Sequence, residues 1–196
     1  MKSFLFAPIL MFILLSCQSG QKPQEIKDTA RTLPKLDTNV REIPQEGAVA
    51  IDLTAIPEKS FPYTDSTNFD NYKDDGISDP ALIKALKFEG EFQSEQDVRI
   101  RYQLKFSDDI TGLVVTYPMG EHELNTTLLL LDTALKIVDQ MDIAYDEIAE
   151  SAIREISLIE KEKLSIAHWN YFPEEPTVET KVYQIRQDGK LLPLKN

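Results

Sequence analysis

The sequence predicts a mainly β fold with one short helix, an antiparallel β-meander that forms a curved sheet, a sandwich or a partial barrel. Three observations predict it. Apolar and polar residues begin to alternate after Glu89, with the two-residue period of half-buried strands. Turn-forming clusters then recur about every dozen residues to the C-terminus. The links between the runs are short, and short links join antiparallel neighbours because parallel crossovers need longer segments. No fixed internal repeat is present, which argues against a propeller.

Taken in order, Ala48 to Leu53 is a short candidate strand, and Ser60 to Asp75, rich in Asp, Asn, Ser and aromatics, reads as an irregular loop. The clearest helix signal follows. Asp79 suits an N-cap and Pro80 the first helical position, and Ala81, Leu82, Ala85 and Leu86 make an apolar stripe, so a helix is expected from Pro80 to Phe88. Val98, Ile100, Tyr102, Leu104 and Phe106 alternate with Arg99, Arg101, Gln103 and Lys105, which predicts one apolar strand face and one polar face. Gly112 to Tyr117 is the next strand. Thr126 to Leu131 is nearly all apolar, as in a strand covered on both sides, and Lys136 to Ile143 returns from it. Tyr145 to Ser151 is ambiguous and admits a short helix. Glu155 to Ile159 and Lys163 to Tyr171 flank a hairpin turn. Thr177 to Arg186 and Lys190 to Leu194 are joined through Asp188-Gly189, a pair suited to positive φ at both positions.

The 196 residues carry 21 basic and 33 acidic side chains, a net charge of −12. Such a surface repels phosphate, which excludes nucleic acid and anionic headgroups as partners of the globular part. The chain has one cysteine, Cys17, and two histidines, His122 and His168. A disulfide within the chain is therefore excluded, and cysteine-based zinc chemistry is not expected.

The N-terminus has its own pattern. Lys2 precedes an apolar run from Phe4 to Leu15, broken by Pro8 and closed by Leu14-Leu15-Ser16-Cys17. About 12 residues at ~1.5 Å each reach roughly 18 Å, short of the ~30 Å hydrocarbon core. A removable leader fits this length better than a membrane span. The last four residues resemble the lipobox of bacterial lipoproteins. That resemblance implies a signal peptide over 1–16, removal of which leaves Cys17 as an N-terminus carrying thioether-linked diacylglycerol and an amide-linked acyl chain. Each buried methylene adds about 0.8 kcal/mol, so two or three chains (palmitate among them) hold where one is marginal. Gln18, rather than Asp, stands after the cysteine. In Gram-negative sorting this implies the outer membrane, and the lack of acids in Ser19 to Gln24 implies a periplasm-facing domain. Residues 17–46 are rich in Lys, Gln, Pro, Glu, Asp and Thr and read as a flexible tether, which leaves 47–196 as a single β-rich domain. That domain is similar to small uncharacterised lipoproteins that join a signal and tether to a β-rich domain. The cue is the strand-rich run ending Tyr183-Gln184-Ile185-Arg186-Gln187-Asp188-Gly189-Lys190, and it implies no activity.

Candidate sites are few. Trp169 and Tyr171 share a strand face and could stack on a ligand or simply cover the sheet. Glu121-His122-Glu123 and the acidic residues of 65–79 lack metal-ligand spacing, so no metal is expected. Arg99, Arg101 and Lys105 read as a row paired with carboxylates such as Asp139 or Glu155. No phosphate loop, nucleophile elbow or zinc-protease motif occurs, so no catalytic set and no cofactor are expected, although paired carboxylates leave a hydrolase as a third reading because such pairs do not show in sequence. The expectation is a non-enzymatic, membrane-tethered domain that binds an envelope protein. The alternative is a small apolar-ligand binder with a lipocalin-like cavity. Palmitate labelling of growing cells tests the anchor: the wild type takes up label and Cys17→Ser does not, and equal labelling of the two overturns the lipobox assignment.

Overall fold

The computed structural model describes residues 52–148 and 152–195. Cys17, the signal peptide, the tether and most of the candidate strand at Ala48 to Leu53 lie outside them. The fold is mainly β, with one helix and a single open curved sheet of ten strands. In chain order these are β1 (Glu58–Lys59), β2 (Tyr63–Asp65), α1 (Pro80–Leu86), β3 (Arg99–Lys105), β4 (Thr111–Pro118), β5 (Glu123–Leu131), β6 (Ile137–Glu147), β7 (Ile153–Ile159), β8 (Lys163–Asn170), β9 (Thr177–Ile185) and β10 (Leu191–Leu194). From β3 to β10 each strand pairs antiparallel with the next, the meander that the short links predict. β1 lies parallel to β3, and β2 pairs with β7. Among the described residues no helix is long and apolar enough to cross a membrane.

Two apolar cores sit on opposite faces of β3–β5. Along β5, Leu128 and Leu130 enter one core while Leu129 and Leu131 enter the other, and all four have no exposed surface. β4 divides likewise, Val114 to the first core and Leu113, Val115 and Tyr117 to the second. The first core is closed by Ile159, Leu164, Ile166, Ile185 and Leu191 of β7–β10. The second is closed by α1 and its flanks through Leu82, Ile83, Leu86 and Phe88.

α1 begins as its sequence requires: Leu82 N donates to Asp79 Oδ1 at 2.9 Å, and Pro80 takes the first turn. It ends one residue beyond Leu86, where Lys87 adopts φ 55° and its N–H reaches Ile83 O and Lys84 O, so Phe88 lies past the helix rather than in it. The buried stripe is Leu82, Ile83 and Leu86. Ala81 is exposed and Ile83 takes the place expected of it, because the larger side chain gains more by burial.

β3 departs from its simple alternation. A bulge between Ile100 and Tyr102 inserts Arg101 opposite β4. Val98 and Ile100 therefore face the helix side, while Tyr102, Leu104 and Phe106 face the other core. The basic row is broken by the same bulge. Arg99 donates to the carbonyls of Asp75 and Gly76, Lys105 reaches Asp108 O, and Arg101 is only 7% exposed. The carboxylates named for them are used elsewhere: Glu155 meets His168, and Asp139 accepts from Leu191 N.

Three further expectations change. Tyr145 belongs to β6, which runs on to Glu147 rather than giving way to a helix, while 149–151 lie outside the described residues. The Asp188-Gly189 turn has positive φ at Gly189 alone, 77°, with Gly189 N donating to Arg186 O and Arg186 N to Lys190 O. This is the three-residue loop with a glycine-type bulge rather than the two-residue turn. The loop Ser60 to Asp75 is not wholly irregular, because it holds β2.

β2 fixes the seam of the sheet. β6 and β7 pair only at Tyr145↔Glu155 and Asp146↔Arg154, and β2 takes the remaining edge of β7, with Asp65 opposite Ser157. Asp65 is 2% exposed; its Oδ2 accepts from Tyr102 Oη at 2.7 Å and its Oδ1 from Thr67 N at 2.8 Å. Burial, then the Asp65 charge and the hydrogen bond to it, push the Tyr102 hydroxyl well above its ordinary 10.0. A raised phenol favours the folded state while it is neutral. That stability is whole below the unfolded pKa of 10.0 and is lost as pH climbs towards the folded value. Tyr102→Phe should therefore lose about 1–3 kcal/mol at neutral pH by leaving Asp65 short of a donor. It should also lose stability less steeply than the wild type above pH ~10. Parallel denaturant melts in that alkaline range check both, and identical alkaline slopes overturn the assignment.

Candidate binding face and clefts

The sheet register decides which side chains of β7–β10 look away from the core. Ile159, Leu164, Tyr183 and Pro193 stand in one row on the core side, and Leu158, Ser165, Val182 and Leu194 form the next row on the other side. The outward set continues with Ile156, Ala167 and Thr180, and with Arg154, Trp169 and Val178. Four exposed aliphatics, Leu158 (39%), Val178 (50%), Leu192 (41%) and Leu194 (46%), all belong to it. Thr64 of β2 extends it beside Leu158.

Trp169 and Tyr171 sit at one end of this face. Their rings stack with centroids 6.1 Å apart and planes 14° from parallel. The backbone holds them there: Tyr171 N donates to Ala152 O at 2.7 Å, and Phe172 N to Asn170 Oδ1 at 2.9 Å. Phe172, beside them, is 66% exposed. The structure thus brings the two sequence-derived candidates together, and joins to them aliphatics that the sequence did not single out.

The face also differs in charge from the rest of the protein. The outward positions of β7–β10 include Arg154 and Lys163 and no carboxylate, in a chain of net charge −12. Asp146 stands opposite Arg154 at the border. Lys163 pairs with Glu160 at 2.6 Å across the turn, and Arg154 Nη2 donates to Ser66 O at 3.3 Å. The carboxylates Glu155 and Glu179 flank His168 on the opposite face, where His168 Nδ1 lies 3.0 Å from Glu155 Oε1.

The space between β3–β6 and β7–β10 is filled by side chains, with Leu104, Val114, Leu128, Leu130, Ile143, Ile159 and Leu164 wholly buried. A cleft of about 510 Å³ opens at the end of the curl, among the β3–β4, β7–β8 and β9–β10 turns. Phe106, Ile110 and Ile185 floor it, and its rim carries Lys105, Lys161 and Arg186 with Asp108, Asp109 and Glu162, charges of both signs. His122 is exposed, 4.0 Å from Glu121. Among the described residues no three His, Cys, Asp or Glu side chains come together as a metal site. Comparison with protein-family models, with curated proteins and with solved structures returns no match for this chain.

Because Trp169 covers the outside of the sheet rather than filling either core, its removal should be mild. Trp169→Ala should cost well under the ~2–5 kcal/mol expected of Leu164→Ala in the core. Chemical denaturation of the two variants decides this, and an equal loss would place Trp169 among the structural core residues.

Proposed function

We propose that this protein is a lipid-anchored envelope protein, held at Cys17 in the outer membrane and facing the periplasm. Its β-rich domain binds another envelope protein without catalysing a reaction. The observation that carries the reading is the outward face of β7–β10, whose strand positions show exposed aliphatics and no carboxylate on a protein of net charge −12. Stacked Trp169 and Tyr171 suit the aromatic anchors that dominate protein interfaces. Exposed aliphatics supply area that water wets poorly. Arg154 and Lys163 suit a partner with acidic groups around an apolar centre. The protein's net charge opposes close approach to anionic headgroups, and a strand face suits a protein surface. The filled interior favours this reading over the lipocalin-like ligand binder. Anchoring both proteins at one membrane raises effective concentration, so modest affinity suffices.

Site-specific photo-cross-linking in whole envelopes tests it, with the full-length protein carrying the probe at Val178 or Leu192. A discrete protein adduct is expected at both positions and none from Lys181 on the opposite face. Val178→Glu should abolish the Leu192 adduct without lowering the melting temperature. Adducts to lipid alone, a product of two copies of this chain, or the same adduct from Lys181 would overturn the proposal.

A further inference from the structure

We infer that the seat of β2 is an internal water-binding site, where ordered water joins the buried Arg101 guanidinium to the Asp65 carboxylate and the Ser157 hydroxyl. The site lies on the core side of the sheet and does not rest on the outward face of β7–β10. Arg101 is 7% exposed, and neither its Nε nor its Nη1 has a hydrogen-bond partner among the described residues. Ser157 is 1% exposed, and its Oγ has none either. Arg101 belongs to no ion pair among the described residues. A buried cation left without hydrogen bonds is strongly destabilising, so these donors need an acceptor.

Three strands bring the groups together. The β3 bulge adds Arg101 between the pairs Ile100↔Val115 and Tyr102↔Val114, which re-aims its side chain. Tyr102 Oη donates to Asp65 Oδ2 at 2.7 Å, and the charge of Arg101 is felt at the hydroxyls of both Tyr102 and Tyr63. On β2, Asp65 stands directly opposite Ser157 of β7, and Tyr63 opposite Ile159. Ile159 is wholly buried in the first core, so Ser157 and Asp65 are turned to that core as well. Gly76 closes the chain over the bulge. A Cβ there would stand 2.8 Å from Arg101 Cα, and Ile77 and Ile100 exchange backbone hydrogen bonds of 2.9 and 2.8 Å beside it.

The donors and acceptors select the ligand. The unmet atoms are guanidinium N–H groups and a hydroxyl that can both donate and accept. Asp65 keeps spare acceptor capacity, since Thr67 N donates to Oδ1 and Tyr102 Oη to Oδ2, and each oxygen has a second lone pair. Water accepts from Arg101 while donating to Asp65 and Ser157, and about three such partners are what a buried water holds. A monatomic anion would accept from Arg101 and Ser157 but would be repelled by the Asp65 charge. The bridged pair also pins β2. A slip of one residue on β7 would turn Asp65 away from Ser157 and Tyr102 and leave the guanidinium without its counter-charge.

Water-to-protein NOE and ROE spectra of the full-length chain in detergent test the site, read at the Arg101 Nε–H. A cross-peak of opposite sign in the two spectra is expected there and not at exposed Arg186. That sign marks long-lived water and separates it from proton exchange. Ser157→Val should abolish the peak by filling the site and removing a partner, whereas Ile185→Val, elsewhere in the core, should leave it unchanged. The melting temperature should be equal in sodium chloride and sodium gluconate at matched ionic strength. A saturable rise with chloride that Arg101→Met removes would assign the site to a halide and overturn the water. The absence of long-lived water at Arg101, or a peak that survives in folded Ser157→Val, overturns the site. The wild-type spectra decide the case by themselves where a variant does not fold.

Discussion

The fold depends on one constraint, that β5 is buried on both faces. Every residue from Leu124 to Leu131 is buried, so its side chains must find partners above and below the sheet. A meander alone cannot supply both layers. The chain solves this by curling β7–β10 over one face and laying α1 with its flanks over the other. Each buried leucine is worth about 1.5–3 kcal/mol relative to exposure. The two covering layers are therefore bound to the same strand and gain from each other's presence. The polar end of β5 obeys the same rule, with Thr116 and Thr126 joined through their hydroxyls at 2.8 Å and Asn125 and Thr127 tied to Tyr117.

How much of this was legible follows from how far each signal reaches along the chain. The strand class, the central strand at Thr126 to Leu131 and the helix start at Asp79-Pro80 depend on neighbours a few residues away, and all three stand in the structure. The bulge at Arg101 depends on pairing with Val114 and Val115, which no local pattern encodes, so Val98 and Ile100 were assigned to the same face as Leu104. β2 is three residues long and gains its place only by meeting β7 ninety or so positions later, while Asp65 finds its donor at Tyr102 of β3. The binding face was half legible. Trp169 and Tyr171 are two residues apart and so share a side. In β9 and β10, however, apolar residues occupy both faces, and only the register tells Val178 and Leu194, outward, from Ile185 and Leu191, inward.

The distribution of charge follows from the same architecture. A chain of net charge −12 has to place its acids somewhere, and the loops and strand ends take most of them. The segment after α1 and the exposed edge of β6 collect Glu89, Glu91 and Asp142 around one cleft. The outward positions of β7–β10 collect none. Mutual repulsion among carboxylates tends to spread them evenly, so a concentration in one place and an absence in another need a counterweight. In the cleft, the relay from Asn125 through Tyr117 and Thr127 supplies a proton donor to Asp142, which offsets part of the repulsion. On the sheet face, carboxylates are avoided, at the expense of leaving aliphatics in water.

The outward face of β7–β10 is built on strands rather than on long loops, and this bears on what it can do. A strand in the middle of a paired sheet has little freedom to rearrange, so groups that it presents are held in place before any ligand arrives. Trp169 is paired through its backbone to Arg154 on one side and Val178 on the other. A preorganised surface loses little entropy on binding, which favours specific recognition over adaptable, promiscuous contact. The sheet therefore serves two purposes with one set of backbone hydrogen bonds. Its inner positions close the cores around β5, and the residues between them, turned the other way by the pleat, are displayed in a fixed pattern that a partner can match.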